Sequence, residues 1–143
     1  MVTPPDKRLF WLLSLAYRRA TAAADAGLRD LDITGAQTGA LFAIPAEGAI
    51  SVNDMATRLR IAQSAASAFA QRLEKAGLIV RQTTPNDSRY AMLALSERGR
   101  KVRREAAARA QAFNARMAAG LSDEQFAVVT GWLQRLIEME ETR

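Results

Sequence analysis

Gln63, Ser64, Ser67, Gln71 and Arg72 share one face of a stretch with helical spacing, Gln63–Ala76. A glutamine amide can pair bidentately with the edge of adenine, and a serine hydroxyl donates or accepts less selectively. An arginine at the end of such a row suits a phosphate oxygen. The same residues would also make an ordinary solvated helix face, and residue types alone leave both readings open. The chemistry of an enzyme is poorly supplied. The chain has no cysteine and no histidine, which excludes disulfides, thiolate metal sites and thiol redox sensing. It also removes the commonest general base and the commonest zinc ligand. The remaining paired carboxylates, Glu138 with Glu140 and Glu141, sit at a helix end and read as solvated charges. The expectation is therefore a binding protein, with no catalytic residues, no cofactor and no metal.

Charge sharpens that expectation. The 143 residues carry a net charge of +5, with a sequence pI near 10.4. The charge is unevenly placed. Residues 1–49 are neutral, residues 50–104 hold eleven basic and four acidic side chains for a net +7, and residues 105–143 are net −2. A basic cluster of this kind favours a polyanionic partner. Within it, Arg98, Arg100, Lys101, Arg103 and Arg104 read mainly as solvated helix charges, with one or two of them at phosphate. At 49% hydrophobic and 24% charged, the composition supports a globular core. Leu9–Ala16 is apolar but too short to span a bilayer, which needs about 18 residues. Basic pairs flank it, and no cleavage pattern follows. A soluble, cytoplasmic protein that does not engage membranes is expected.

The elements that position these side chains follow from caps and periodicity. Thr3-Pro4-Pro5-Asp6 opens a helix running to about Gly27. Thr34-Gly35-Ala36-Gln37 is a capping box whose helix Pro45 should stop. Ile50–Val52 reads as a short strand and Asp54–Leu59 as a short helix. After the Arg60-Ile61 turn comes Gln63–Ala76, with Ala66, Phe69, Ala70 and Leu73 facing inward and Gly77 ending it. Leu78–Thr83 and Tyr90–Leu95 read as two strands around the turn-forming run Thr84–Ser88. Ser96 caps a long helix to about Ala119, with Val102, Ala106, Phe113 and Met117 as its apolar seam. Gly120 breaks it, and Ser122–Gln125 forms a second capping box flanked by Leu121 and Phe126. The last helix carries Val129, Leu133, Leu136 and Ile137, with Trp132 adjacent.

Two short helices, a tight turn and a β-hairpin make a winged helix-turn-helix. Its second helix is narrow enough for the major groove, and its hairpin tip can reach the neighbouring minor groove, where negative potential attracts arginine. The fold expected is mainly α, with about six helices and a β-hairpin wing. It divides into a dimerisation helix (1–32), a DNA-binding region (33–99) and C-terminal dimerisation helices (100–143).

Three motifs in order then carry a family resemblance: Leu73-Glu74-Lys75-Ala76-Gly77-Leu78-Ile79, Asp87-Ser88-Arg89 and Leu95-Ser96-Glu97-Arg98-Gly99. The segment Met55–Gly99 resembles the MarR family of winged-helix transcriptional regulators, and Ile33-Thr34-Gly35-Ala36-Gln37 resembles the start of that family's second helix. The resemblance implies that Arg89 inserts into the minor groove, that Asp87 holds its guanidinium, and that Gly99 lets the long helix pack near the base of the wing. Two positions depart from the pattern. Ala62 stands where Ser or Thr usually caps the recognition helix, and Arg60 stands where a turn glycine is common.

One winged lobe reads too few bases for useful specificity, so a homodimer on a pseudo-palindromic double-stranded operator is expected. Phe10, Trp132, Leu133 and Leu136 are the candidate dimer core, an intramolecular core being the alternative. The resemblance also implies repression released by a small aromatic ligand. Trp11, Tyr17, Arg18, Thr38 and Phe42 lie on the helices that could line its pocket, although aromatic residues at this spacing also suit a core. A winged-helix module that binds an acidic protein, without operator specificity, is the competing reading.

Overall fold

The computed structural model describes residues 8–84 and 87–139, without the side chains of Thr84 and residues 87–90. The chain divides into two compact units, residues 1–110 and 111–143.

The first unit opens with α1 (Leu9–Ala26), followed by a 3₁₀ turn at Arg29–Leu31. The expected Thr3 cap lies outside the described residues. Helix α2 (Gly35–Ala43) begins at the anticipated capping box. Thr34 Oγ1 accepts from Gln37 N at 3.1 Å, and Thr34 N donates to Gln37 Oε1 at 2.9 Å. The Asp25 carboxylate adds a 2.7 Å bond from Gly35 N, placing an anion at the positive end of α2.

Strand β1 (Ala49–Ser51), helix α3 (Val52–Leu59) and helix α4 (Gln63–Lys75) follow. Val52, expected in the strand, is the first residue of α3. Ser51 accepts from Asp54 N at 3.0 Å and so starts the helix there. Strands β2 (Ile79–Thr84) and β3 (Asp87–Leu95) form the hairpin. Strand pairing extends further than the sequence suggested, to Thr84 opposite Asp87 after an irregularity. The hairpin is also not alone. β1 pairs antiparallel with β3, Ile50 opposite Leu93, giving a three-stranded sheet in the order β1-β3-β2.

The core joins this sheet to α2, α3 and α4. Leu41, Ile44, Met55, Leu73, Leu78, Ile79 and Leu93 are its largest fully buried side chains. Each contributes about 1.5–3 kcal/mol by leaving water. Helix α5 (Glu97–Ala118) buries Gly99, Val102 and Ala106.

In the second unit, Gly120 adopts φ +88° after the end of α5. Helix α6 (Asp123–Ile137) starts at a capping box made by Ser122 and Gln125. No residue of α6 is buried within the chain. Among the described residues, no helix is long and apolar enough to cross a membrane.

Candidate nucleic-acid interface

The helix-turn-helix is built from α3, a three-residue turn and α4. Arg60 closes α3 in the left-handed conformation, φ +53°. That is the geometry a turn glycine would supply, and a side chain there costs about 1 kcal/mol. Ile61 N donates back to Ala56 O at 3.1 Å, which satisfies the helix end despite the strain. Helix α4 then starts at Gln63 with Ala62 as its N-cap and no side-chain cap bond. Its first N–H groups therefore lack the hydroxyl or carboxylate that such a position usually provides.

The two sides of α4 differ sharply. Ala66 and Ala70 have no exposed surface and Leu73 almost none. Alanine favours the helix and lets its backbone approach α2 and α3 closely. Gln63, Ser64, Gln71 and Arg72 are exposed on the other side, and Ser67 is half-buried beside them. Residues 63, 67 and 71 recur at intervals of four and form one row. The Arg72 guanidinium carbon sits 5.9 Å from the centroid of the Phe69 ring, a cation–π stack that orients its donors.

At the C-terminal end of α4, Glu74 forms an ion pair with Arg81 of β2. Gln71, Glu74, Lys75 and Arg81 line an open groove of about 560 Å³ between the helix and the wing. Gly77 ends the helix at φ +74°. Asp87 and Arg89 lie on the backbone of β3, and their side chains fall outside what is described.

The basic segment has a use that composition did not reveal. Arg58 donates to Ala43 O at 2.6 Å, and Arg103 donates to Leu41 O at 3.2 Å and Phe42 O at 3.4 Å. Two arginines thus converge on the C-terminal carbonyls of α2. Arg103 also lies over the Phe42 ring, 5.7 Å from its centroid. Arg98 donates to Ala76 O at 2.7 Å, and Arg100 to Leu95 O at 3.2 Å. Arg100 and Arg103 are half-buried rather than simply solvated, whereas Arg98 stays exposed, as expected, while bonding a carbonyl. Helix ends carry carbonyls without intrahelical partners and a partial negative charge, and a guanidinium satisfies both. No spacing rule in the sequence announces such partners.

The remaining candidate residues are more dispersed. On α1, Phe10 is 84% exposed and Tyr17 70% exposed. Trp11 is exposed, with the Arg8 guanidinium 5.9 Å from its ring, and Arg18 is exposed too. On α2, Thr38 is buried, with its hydroxyl donating to Thr34 O at 2.9 Å, and Phe42 is half-buried. On α6, Trp132, Leu133 and Leu136 are half-buried.

Comparison with known proteins gives this geometry a family. Residues 31–89 match the model of the MarR family. The transcriptional repressor MdtR of Bacillus subtilis is 31% identical over 112 residues, which cover 76% of this chain and 72% of MdtR. BpsR of Bordetella bronchiseptica, whose DNA binding is regulated by 6-hydroxynicotinic acid, superposes with a TM-score of 0.83 at 24% identity. That match covers 93% of this chain and 95% of BpsR. A mutant MarR of E. coli complexed with operator DNA superposes with a TM-score of 0.80 at 22% identity, covering 90% of this chain and 92% of MarR. The helix-turn-helix, its wing and these matches together place the chain in the MarR family of DNA-binding transcriptional regulators, not among enzymes.

Proposed function

We propose that this chain is a homodimeric, sequence-specific repressor that binds a pseudo-palindromic operator and leaves it on binding a small aromatic ligand. The carrying observation is the polar row on α4, Gln63, Ser64 and Gln71 exposed opposite a buried alanine side. In this reading α4 enters the major groove, and the two glutamines and Ser64 and Ser67 meet base edges. Arg72, oriented by Phe69, holds a phosphate. Arg89 enters the minor groove from the wing, with Asp87 steadying it.

Residues 33–99 then form the DNA-binding region, and residues 1–32 and 100–143 supply the dimer. Apolar exposure supports the dimer: α1 and α6 bury no residue within one chain, and Phe10, Trp11, Phe126 and Val128 are all exposed. Large apolar side chains left exposed on a helix suit an association surface. Two α4 helices about 34 Å apart would meet successive turns of one face of the duplex. Repression is supported by the likeness to the repressor MdtR, and a ligand switch by the likeness to BpsR. Such a ligand would bind near Trp11, Tyr17, Arg18, Thr38 and Phe42 and favour a half-site spacing unsuited to DNA.

Selection of bound duplexes from a random pool, repeated with candidate aromatic acids, tests the reading. A palindromic consensus lost on adding one of the acids is expected. Arg89→Ala should weaken binding of that consensus about tenfold or more. Retention of an acidic protein partner with no preferred duplex would overturn the reading in favour of a protein-binding module.

A further inference from the structure

Helix α5 meets the ends of three other helices through arginines. Arg98 donates to Ala76 O, at the end of α4, at 2.7 Å. Arg103 donates to Leu41 O and Phe42 O, at the end of α2. Arg109 donates to Gly27 O, at the end of α1, at 2.9 Å, and its fork also engages the Asp30 carboxylate. Each contact falls on a C-terminal carbonyl, where a cation is favoured. At about 100° per residue, Arg98 and Arg109 share one side of α5 and Arg103 lies about 140° away. The helix thus gathers its neighbours around itself.

The contact with α4 is the most developed. Ser96 N donates to Leu78 O at 3.0 Å, and Ser96 Oγ donates to Gly77 O at 2.6 Å while accepting from Gly99 N at 2.9 Å. Together with the Arg98 bond, the first turn of α5 holds three successive carbonyls at the end of α4. Gly99 packs so close that a Cβ there would lie 1.8 Å from Leu78 O.

We propose that Arg98 and Arg103 are positioning residues for DNA binding: they fix the attitude of α4 and of its scaffold helix α2 from α5, and they do not touch phosphate. This rests on the assignment of α4 as the reading helix. A guanidinium committed to backbone carbonyls has fewer donors left for DNA, and an α4 freed at one end could still meet phosphates but would lose its register on the bases.

The test uses the full-length protein and measures affinity for its selected operator and for a random duplex across a salt series. R98M and R103M, each with the charge-keeping R98K and R103K, are compared with K101M, which changes an exposed residue of the same helix. The expected result is a loss of about tenfold in operator affinity for R98M and R103M. Random-duplex affinity and the slope of log affinity against log salt should be unchanged. The lysine variants should recover part of the loss, because lysine keeps the charge without the planar fork. If a methionine variant fails to fold, the lysine variant at that position carries the test, with the same loss of specificity at smaller size. Parallel losses on both duplexes with the slope reduced by about 0.9 would show a phosphate contact and overturn the proposal. Operator affinity unchanged in folded variants would overturn it as well. If the unsubstituted protein preferred no duplex, the assignment of α4 would fail, and this proposal with it.

Discussion

Helix α4 lies in the basic segment and α5 begins in it, and both are polar helices rich in residues that could meet nucleic acid. They use those residues in opposite ways. On α4 the polar row is exposed at Gln63, Ser64 and Gln71, opposite a buried alanine side, so it stays available. On α5, Arg98, Arg103 and Arg109 are turned onto carbonyls of neighbouring helices. Arg98 and Arg103 therefore count towards the +7 charge while donating to backbone carbonyls of the protein itself. Net charge governs how strongly a duplex is attracted, and only side-chain direction tells which residues can read it.

The two ends of α4 repeat the contrast at smaller scale. Its C-terminal end is held by Ser96, Arg98 and the close approach of Gly99, while its N-terminal end has no side-chain cap. Gly99→Ala should break the comparison most severely. The new methyl meets the Leu78 carbonyl, so α5 must back away from the end of α4. A loss of about 3 kcal/mol in urea unfolding is expected. An unchanged midpoint would mean that α5 does not grip α4 as described.

Ala62→Ser acts at the other end and in the other direction. A hydroxyl at the N-cap can accept from the first turn of α4, and a gain of about 1 kcal/mol is expected in the same urea titration. No gain would mean that the front of α4 is already satisfied.

The smallest effect concerns the ion pair of Arg109 with Asp30. Hydrogen bonding from Arg109 holds the Asp30 carboxyl below its ordinary value of 3.8. A carboxylate whose folded-state pKa is depressed adds stability above its ordinary value and loses it as pH falls through the folded one. Asp30→Asn should therefore lower the melting temperature slightly at neutral pH, and the difference from the unsubstituted protein should shrink as pH falls below 3.8. Arg109 stays charged throughout, so a difference that instead changed between pH 6 and 8 would point to another group.

Much of this architecture was legible because its signals are local. Thr34 with Gln37, and Ser122 with Gln125, announce helix starts through side chains that bond their own backbone three residues away. Gly77 announces a helix end because the chain needs a positive φ there. The polar face of α4 followed from periodicity alone. What stayed hidden depends on contacts far apart in sequence. The sequence announces a short strand at Ile50, but not its pairing with β3 some forty residues later. Arg103 reaches carbonyls more than sixty residues before it, and Arg109 more than eighty. Backbone carbonyls occur at every position, so no residue type marks them as arginine partners in advance.

The most direct measurement of the account is the base preference of Gln71→Ala. Affinities of this variant and of the unsubstituted protein would be compared across duplexes carrying each base at every position of the selected half-site. The account predicts that discrimination collapses at one position, by about 1–3 kcal/mol, while the other positions keep theirs. A uniform fall at all positions, or no change at any, would contradict the assignment of α4 as the helix that reads DNA.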